Sequence, residues 1–156
     1  MFEVDIPGFG QATLKHLASD FTGTLSINGR LVPGIKELLN RVAAIVDVHV
    51  LTADTFGTAR SELAGVQCRI QILAGNNEDA QKEAYVQHLG AENVIALGNG
   101  NNDRKMLRAA RIGVAVCLSE GCAMEAALSA NILVTSPTDA LELLLQNNRL
   151  KATLRF

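Results

Sequence analysis

The stretch LASDFTGTLS, residues 17–26, sets the reading of the whole chain. A short apolar run ends in Asp20, and Phe21, Thr22, Gly23 and Thr24 follow it. Taken alone, Asp20 is either a cap that opens a turn or a nucleophile presented at the edge of a sheet. The pattern of the remaining residues separates the two.

Asp20 closes the segment ATLKHLAS (12–19), the first of a series of short β-branched or aliphatic runs. VDVHVLT (46–52), RIQIL (69–73), NVIALG (93–98), IGVAV (112–116) and NILVT (131–135) continue it. Runs so uniformly apolar suit parallel strands covered on both faces. Between them, apolar residues recur at helical spacing. Ile35, Leu38, Leu39, Val42 and Ile45 form one face; Leu141, Leu144 and Leu145 form another, in a helix opened by Ser136-Pro137. This alternation predicts a doubly wound, Rossmann-like α/β domain with a mainly parallel sheet, helices on both faces and right-handed crossovers. Asn28-Gly29, between short alternating runs directly after the opening stretch, predicts a small type I′ hairpin. FEVDIPG and RLKATLRF, near the two ends, alternate with period 2 and predict antiparallel edge strands. No linker or repeat interrupts the pattern, so residues 1–156 are read as a single domain.

At 156 residues, 48% of them hydrophobic, the chain can bury a core without staples. A formal net charge of −2 and the lack of a basic run speak against nucleic acid or an anionic membrane as partner. No apolar run reaches the roughly 20 residues of a membrane-spanning helix, and the N-terminus has no basic n-region. Cys68, Cys117 and Cys122 are an odd set without CxxC spacing, which predicts free thiols in a cytoplasmic protein. His16, His49 and His88 show no ligand spacing and are read as structural or exposed.

Ligands of open α/β sheets bind beyond the carboxyl ends of the strands. Asp20 ends the first core run, and Thr52, followed by Ala53, Asp54 and Thr55, ends the second. Gly98, Asn99, Gly100, Asn101, Asn102 and Asp103 end NVIALG, and Lys82 lies on the helical segment EDAQKEAYVQHLG. This set suits phosphoryl transfer. A carboxylate can attack phosphorus, and hard oxygens can hold Mg²⁺. A lysine and a hydroxyl can orient the equatorial oxygens, while glycines admit backbone N–H groups. Each residue alone has a plainer reading: a turn cap for Asp20, a helix-dipole acid for Asp103, a solvated lysine for Lys82, a helix cap for Asp54. Their ordered recurrence at successive strand ends favours the chemical one.

DFTGTL, LTADTFGTARSELAGV, ALGNGNND and RIGVAV followed by CAMEAALSANILV, in this order, resemble the haloacid dehalogenase superfamily. More narrowly, they resemble the phosphorylation domain of P-type ATPases. Phe21 stands for the lysine of that family's DKTGTL pattern, Ala53 and Thr55 for the glycine and asparagine of TGDN, and Asn99 for the first aspartate of GDGxND. The resemblance implies Asp20 as the phosphorylated nucleophile. It implies Thr52 and Lys82 as phosphoryl-binding residues, with Gly23, Ala53 and Asn102 around them. It also implies a Mg²⁺ site made of Asp20, the Thr22 backbone carbonyl, Asn99 and Asp103.

Thr22 occupies the place where phosphatases of the superfamily keep a second aspartate for acid–base work. This predicts a slow phosphatase with a persistent aspartyl phosphate. Neither a nucleotide-binding insertion between Asp54 and Lys82 nor a cap domain between Asp20 and Thr52 has room. The resemblance is therefore to a capless, soluble relative with an open site, suited to bulky phosphorylated substrates or to closure by a second copy of the chain. Two other readings stay open. A non-catalytic phosphate-binding or regulatory module is favoured by Thr22 and Asn99. A receiver-type phosphoacceptor is disfavoured by the place of Asp20 on the first core strand.

Overall fold

The chain opens with an antiparallel hairpin, β1 (Phe2–Ile6) and β2 (Gly10–Leu14), and turns at Lys15 into the first core strand, β3 (His16–Ser19). The computed structural model describes residues 1–156. A small hairpin follows, β4 (Ser26–Ile27) and β5 (Arg30–Leu31), then α1 (Ile35–Ala43) and β6 (Asp47–Thr52). Next come α2 (Ala59–Glu62), β7 (Arg69–Ile72), α3 (Glu78–Leu89), β8 (Val94–Gly98), α4 (Arg104–Ala109) and β9 (Ile112–Val116). The last elements are α5 (Met124–Ser129), β10 (Ile132–Val134), α6 (Pro137–Leu145) and α7 (Asn147–Leu154).

The main sheet has the order β10-β9-β8-β3-β6-β7, with every pair parallel. From β3 the chain moves outward through β6 to β7, then returns to the other flank of β3 with β8. The strand order reverses at β3, and a fold of this kind offers its ligand crevice outside the carboxyl ends of the strands at that point. Successive side chains face opposite ways. Leu17, Val48, Val50, Ile95, Leu97 and Val114 pack with Ile35, Leu39 and Val42 of α1 and Leu141 and Leu144 of α6. Ala18, Leu51 and Ala96 pack with Val86 of α3 and Met106 and Leu107 of α4. Helices therefore cover both faces, as the apolar strands require. Leu38, Ile45 and Leu145 sit partly buried at the margin of the first layer. No helix is long and apolar enough to cross a membrane, and all three cysteines are free thiols.

Asn28 and Gly29 both have positive φ, 52° and 78°, the type I′ geometry that the dipeptide demands. Three details depart from the sequence reading. The first apolar run is two strands: Lys15 breaks it, its N–H donating to Asn93 O while its carbonyl accepts from Asp47 N–H. FEVDI forms a strand but pairs with β2, away from the edges of the main sheet. RLKATLRF is not a strand. Leu150 and Leu154, one helical turn apart, turn one face of α7 to the core, and Phe156 N–H donates to Pro7 O.

Two of the histidines read as structural or exposed meet inside the fold. Parallel pairing of β3 with β6 sets His16 opposite Asp47 and Ala18 opposite His49. His16 Nδ1 lies 3.2 Å from His49 Nε2 and 3.8 Å from Asp47 Oδ2, and His49 Nδ1 lies 2.9 Å from the Tyr85 hydroxyl. Two residues 33 apart in sequence thus meet at the amino ends of the strands through register alone.

Candidate active site

Asp20 leaves β3 at the point of strand reversal. Its N–H donates to Leu97 O at 2.9 Å, fixing it against the end of β8. Lys82, on α3, reaches across to this point and is completely buried. Its Nζ donates to Asp20 Oδ1 at 2.8 Å and to Asp103 Oδ1 at 2.7 Å. The other oxygen of Asp103 accepts the N–H groups of Asn99 and Gly100, each at 2.9 Å. Both carboxylate oxygens of Asp103 are therefore engaged, one holding the lysine and one shaping the loop. Gly98 makes room for this: a Cβ there would stand 2.5 Å from that of Asp103.

Thr24, a buried residue that the sequence reading did not single out, ties the two sides together. Its hydroxyl is within reach of Asp20 Oδ2 at 3.1 Å and Asn99 Oδ1 at 3.3 Å. A single hydroxyl hydrogen serves both, so these two oxygens converge on one region. Thr52 is also buried, and its Oγ1 accepts the Asp54 N–H at 2.9 Å, which leaves its own hydrogen available to a ligand. Asp54, with φ of 57°, caps at a distance: its Oδ1 accepts the Ala59 N–H at the start of α2.

A cleft of ≈ 210 Å³ opens over these groups. Asp20, Thr22, Thr52, Ala53 and Thr55 line it together with Asn99, Gly100, Asn102, Glu78 and Glu120. The two glutamates are the further acids of the cleft that spacing did not reveal. Glu78 accepts from Asn102 Nδ2 at 2.8 Å, and Glu120 Oε1 lies 3.4 Å from Asn99 Nδ2. Gly23 is not among the lining residues. Its N–H donates to Ser26 O, and a Cβ on it would stand 1.9 Å from Glu120 Oε1, so its place is one of close packing at φ 80°. A larger hollow of ≈ 370 Å³, bounded by Arg104, Lys105, Arg108, Glu83 and Glu125, contains none of these groups.

Burial pushes the Asp20 carboxyl up to about 6, and the charge of Asp103 adds to it, while Lys82 and the Phe21 N–H hold it back. Burial alone would discharge Lys82, but Asp20 and Asp103 outweigh it and keep the ammonium above the ordinary lysine range. One ammonium thus faces two carboxylates, with two more acids along the cleft. Such a negative surplus suits a cation. Asp20 Oδ2, Asn99 Oδ1 and the Thr22 carbonyl are hard oxygens of the kind Mg²⁺ takes. With both oxygens engaged, Asp103 is suited to reach such an ion through water.

The family of haloacid dehalogenase-like hydrolases matches residues 71–137. Uncharacterized protein MJ0073 of Methanocaldococcus jannaschii is 43% identical over 83 residues, 51% of this chain and 89% of that one. Probable copper-transporting ATPase HMA5 of Arabidopsis thaliana is 31% identical over 117 residues, 73% of this chain and 12% of that protein. A solved structure of 3-deoxy-D-manno-octulosonate 8-phosphate phosphatase from Moraxella catarrhalis, in complex with magnesium ion, phosphate ion and KDO, shares the fold. It matches with a TM-score of 0.60 at 20% identity, over 91% of this chain and 94% of that one. Sheet order, strand-end residues and sequence likeness agree, and the chain belongs to the haloacid dehalogenase-like hydrolases.

Proposed function

We propose that the protein is a Mg²⁺-dependent phosphatase that works through a phosphoenzyme on Asp20. The observation that carries this reading is the Lys82 ammonium held between Asp20 and Asp103, with a Thr52 hydroxyl whose hydrogen is free on the cleft that Asp20 lines. Phosphoryl transfer needs a nucleophile, fixed positive charge and an oriented donor, and these are the three groups present. Mg²⁺, when bound, supplies further charge neutralisation at the phosphoryl oxygens. Asp20 Oδ2, Asn99 Oδ1 and the Thr22 carbonyl would hold it, with Asp103 acting through water. Glu120, beside Asn99, restores negative charge that an asparagine lacks.

Asp20 Oδ1 is then the attacking atom. Its bond to phosphorus forms as the bond from phosphorus to the leaving-group oxygen breaks. Lys82 and the Thr52 O–H take the equatorial oxygens, with Ala53 and Asn102 lining the same cleft. Water next attacks the same phosphorus, giving inorganic phosphate and free Asp20, and its proton leaves with phosphate or solvent. Thr22 supplies no proton near neutral pH, so the leaving group departs as its anion. Acid–base assistance is worth roughly 10²–10⁴-fold, and its lack at Thr22 favours esters with good leaving groups. The substrate is a phosphate monoester that enters an uncapped cleft.

Hydrolysis of p-nitrophenyl phosphate, with and without Mg²⁺, tests this in the wild type and in Asp20→Asn. Mg²⁺-dependent turnover that vanishes in Asp20→Asn is the expected result. Equal turnover in both proteins would overturn the mechanism. Thr22 and Asn99 favour a second reading, a phosphate-binding module without turnover. It predicts no hydrolysis in either protein alongside Mg²⁺-assisted phosphate binding.

A further inference from the structure

We propose that His16, Asp47 and His49 form a binding site for a divalent transition metal ion of the zinc class, at the end of the sheet opposite Asp20. A tetrahedral zinc ion with nitrogen ligands at 2.0–2.1 Å sets its donors about 3.3–3.4 Å apart. His16 Nδ1 and His49 Nε2 are 3.2 Å apart, His16 Nδ1 and Asp47 Oδ2 are 3.8 Å apart, and all three donor atoms lie within 4.8 Å of one another. Two imidazoles and one carboxylate select zinc, cobalt, nickel or copper over magnesium.

The ligands stand on rigid elements, adjacent parallel strands whose register fixes their spacing. The Tyr85 hydroxyl lies 2.9 Å from His49 Nδ1, and in the tautomer in which Nδ1–H donates to it, Nε2 is the lone pair facing His16. Orientation of this kind is what a group behind a metal-binding histidine supplies. His49 is fully buried, whereas the Asp47 side chain is 63% exposed and leaves a route from solvent. Water would complete the coordination. Arg69, opposite His49 on β7, and Lys15, beside His16, oppose a cation, and Asp47 offsets part of their charge. Without an ion, one proton sits between the two facing nitrogens; binding would release that proton to solvent, with the ion held to one side of the line between them. Bound there, it would join β3 to β6, whose far ends carry Asp20 and Thr52.

The test is titration of the chelator-stripped full chain with Co²⁺ in excess Mg²⁺, read by visible absorption, followed by displacement with Zn²⁺. Wild type and Asp20→Asn should both show a single tetrahedral Co²⁺ band that Zn²⁺ removes. Asp47→Ala and His16→Gln should each lose it, and Tyr85→Phe should weaken Co²⁺ binding about 10–100-fold. Asp47→Ala decides the matter if His16→Gln fails to fold. No band in the wild type, a band that persists in Asp47→Ala, or one that disappears in Asp20→Asn would each overturn the proposal.

Discussion

The same two strands, β3 and β6, carry a buried polar cluster at each end, and the two clusters are built on opposite principles. At the carboxyl ends, Asp20 and Thr52 meet an ammonium, Lys82, locked between two carboxylates. At the amino ends, His16, His49 and Tyr85 form a run of neutral hydrogen bonds, with the charged member, Asp47, largely in water. Burial acts on both and pushes each toward its uncharged form: the Asp20 carboxyl up to about 6, the His49 imidazole down to about 4. The amino-end cluster accepts that outcome. The carboxyl-end cluster resists it by holding opposite charges at contact distance, which is the arrangement a phosphoryl group and a cation would exploit.

The comparison breaks most visibly at Lys82. Lys82→Met leaves Asp20 and Asp103 facing each other without a counter-charge, and loss of one partner of a buried pair costs about 3–5 kcal/mol. Urea unfolding above neutral pH should show that loss, and the loss should shrink as pH falls toward about 6, because without Lys82 to hold it down the Asp20 carboxyl takes up its proton at higher pH in the variant than in the wild type. Asp20→Asn should act in the other direction. The Asp20 pKa is about 6 in the folded protein and near the ordinary carboxylate value of 3.8 when unfolded, so the native state binds more protons between these values. Its contribution to stability is present on the acid side and lost as pH rises through about 6. Removing the ionisable group should therefore stabilise the protein by roughly 1–3 kcal/mol above that pH while abolishing turnover.

At the amino end the pH dependence reverses. His49 is depressed from 6.5 to about 4, chiefly by burial and then by the neighbouring His16 and Arg69, so the unfolded chain binds the extra proton in that window. Its share of stability is present above 6.5 and lost as pH falls toward about 4. His49→Gln should flatten that part of the urea midpoint–pH curve. The smallest effect is expected at Asp47→Ala in metal-free protein, within about 0.5 kcal/mol, because an exposed carboxylate beside a neutral imidazole contributes little.

The two ends also differ in how far they can be read from the chain. Asp20, Thr52, Lys82, Asn99 and Asp103 could be listed because each stands at a strand end or on the connecting helix, and the strands declare themselves by their apolar runs. Thr24 lay within the same quoted stretch, but its hydroxyl matters only once β3 and β8 are neighbours. Glu78 and Glu120 enter the cleft from the approaches to α3 and α5, which spacing does not specify. The meeting of His16 and His49 depends on the register of β3 against β6, and a shift of one residue would turn one of them to the other face. RLKATLRF misleads for a simpler reason: leucines four apart satisfy both a period of 2 and a helical turn, and packing against the hairpin decides for the helix. Gly23 has a packing role that spacing does not show, since a side chain there would run into Glu120.

The central claim is that Asp20 takes up the phosphoryl group. The most direct measurement is acid quenching during turnover of p-nitrophenyl phosphate with Mg²⁺, followed by mass spectrometric location of bound phosphate. The account predicts phosphate on Asp20, released by hydroxylamine and absent from Asp20→Asn. Turnover without phosphate on Asp20, or phosphate held by another residue, would contradict it.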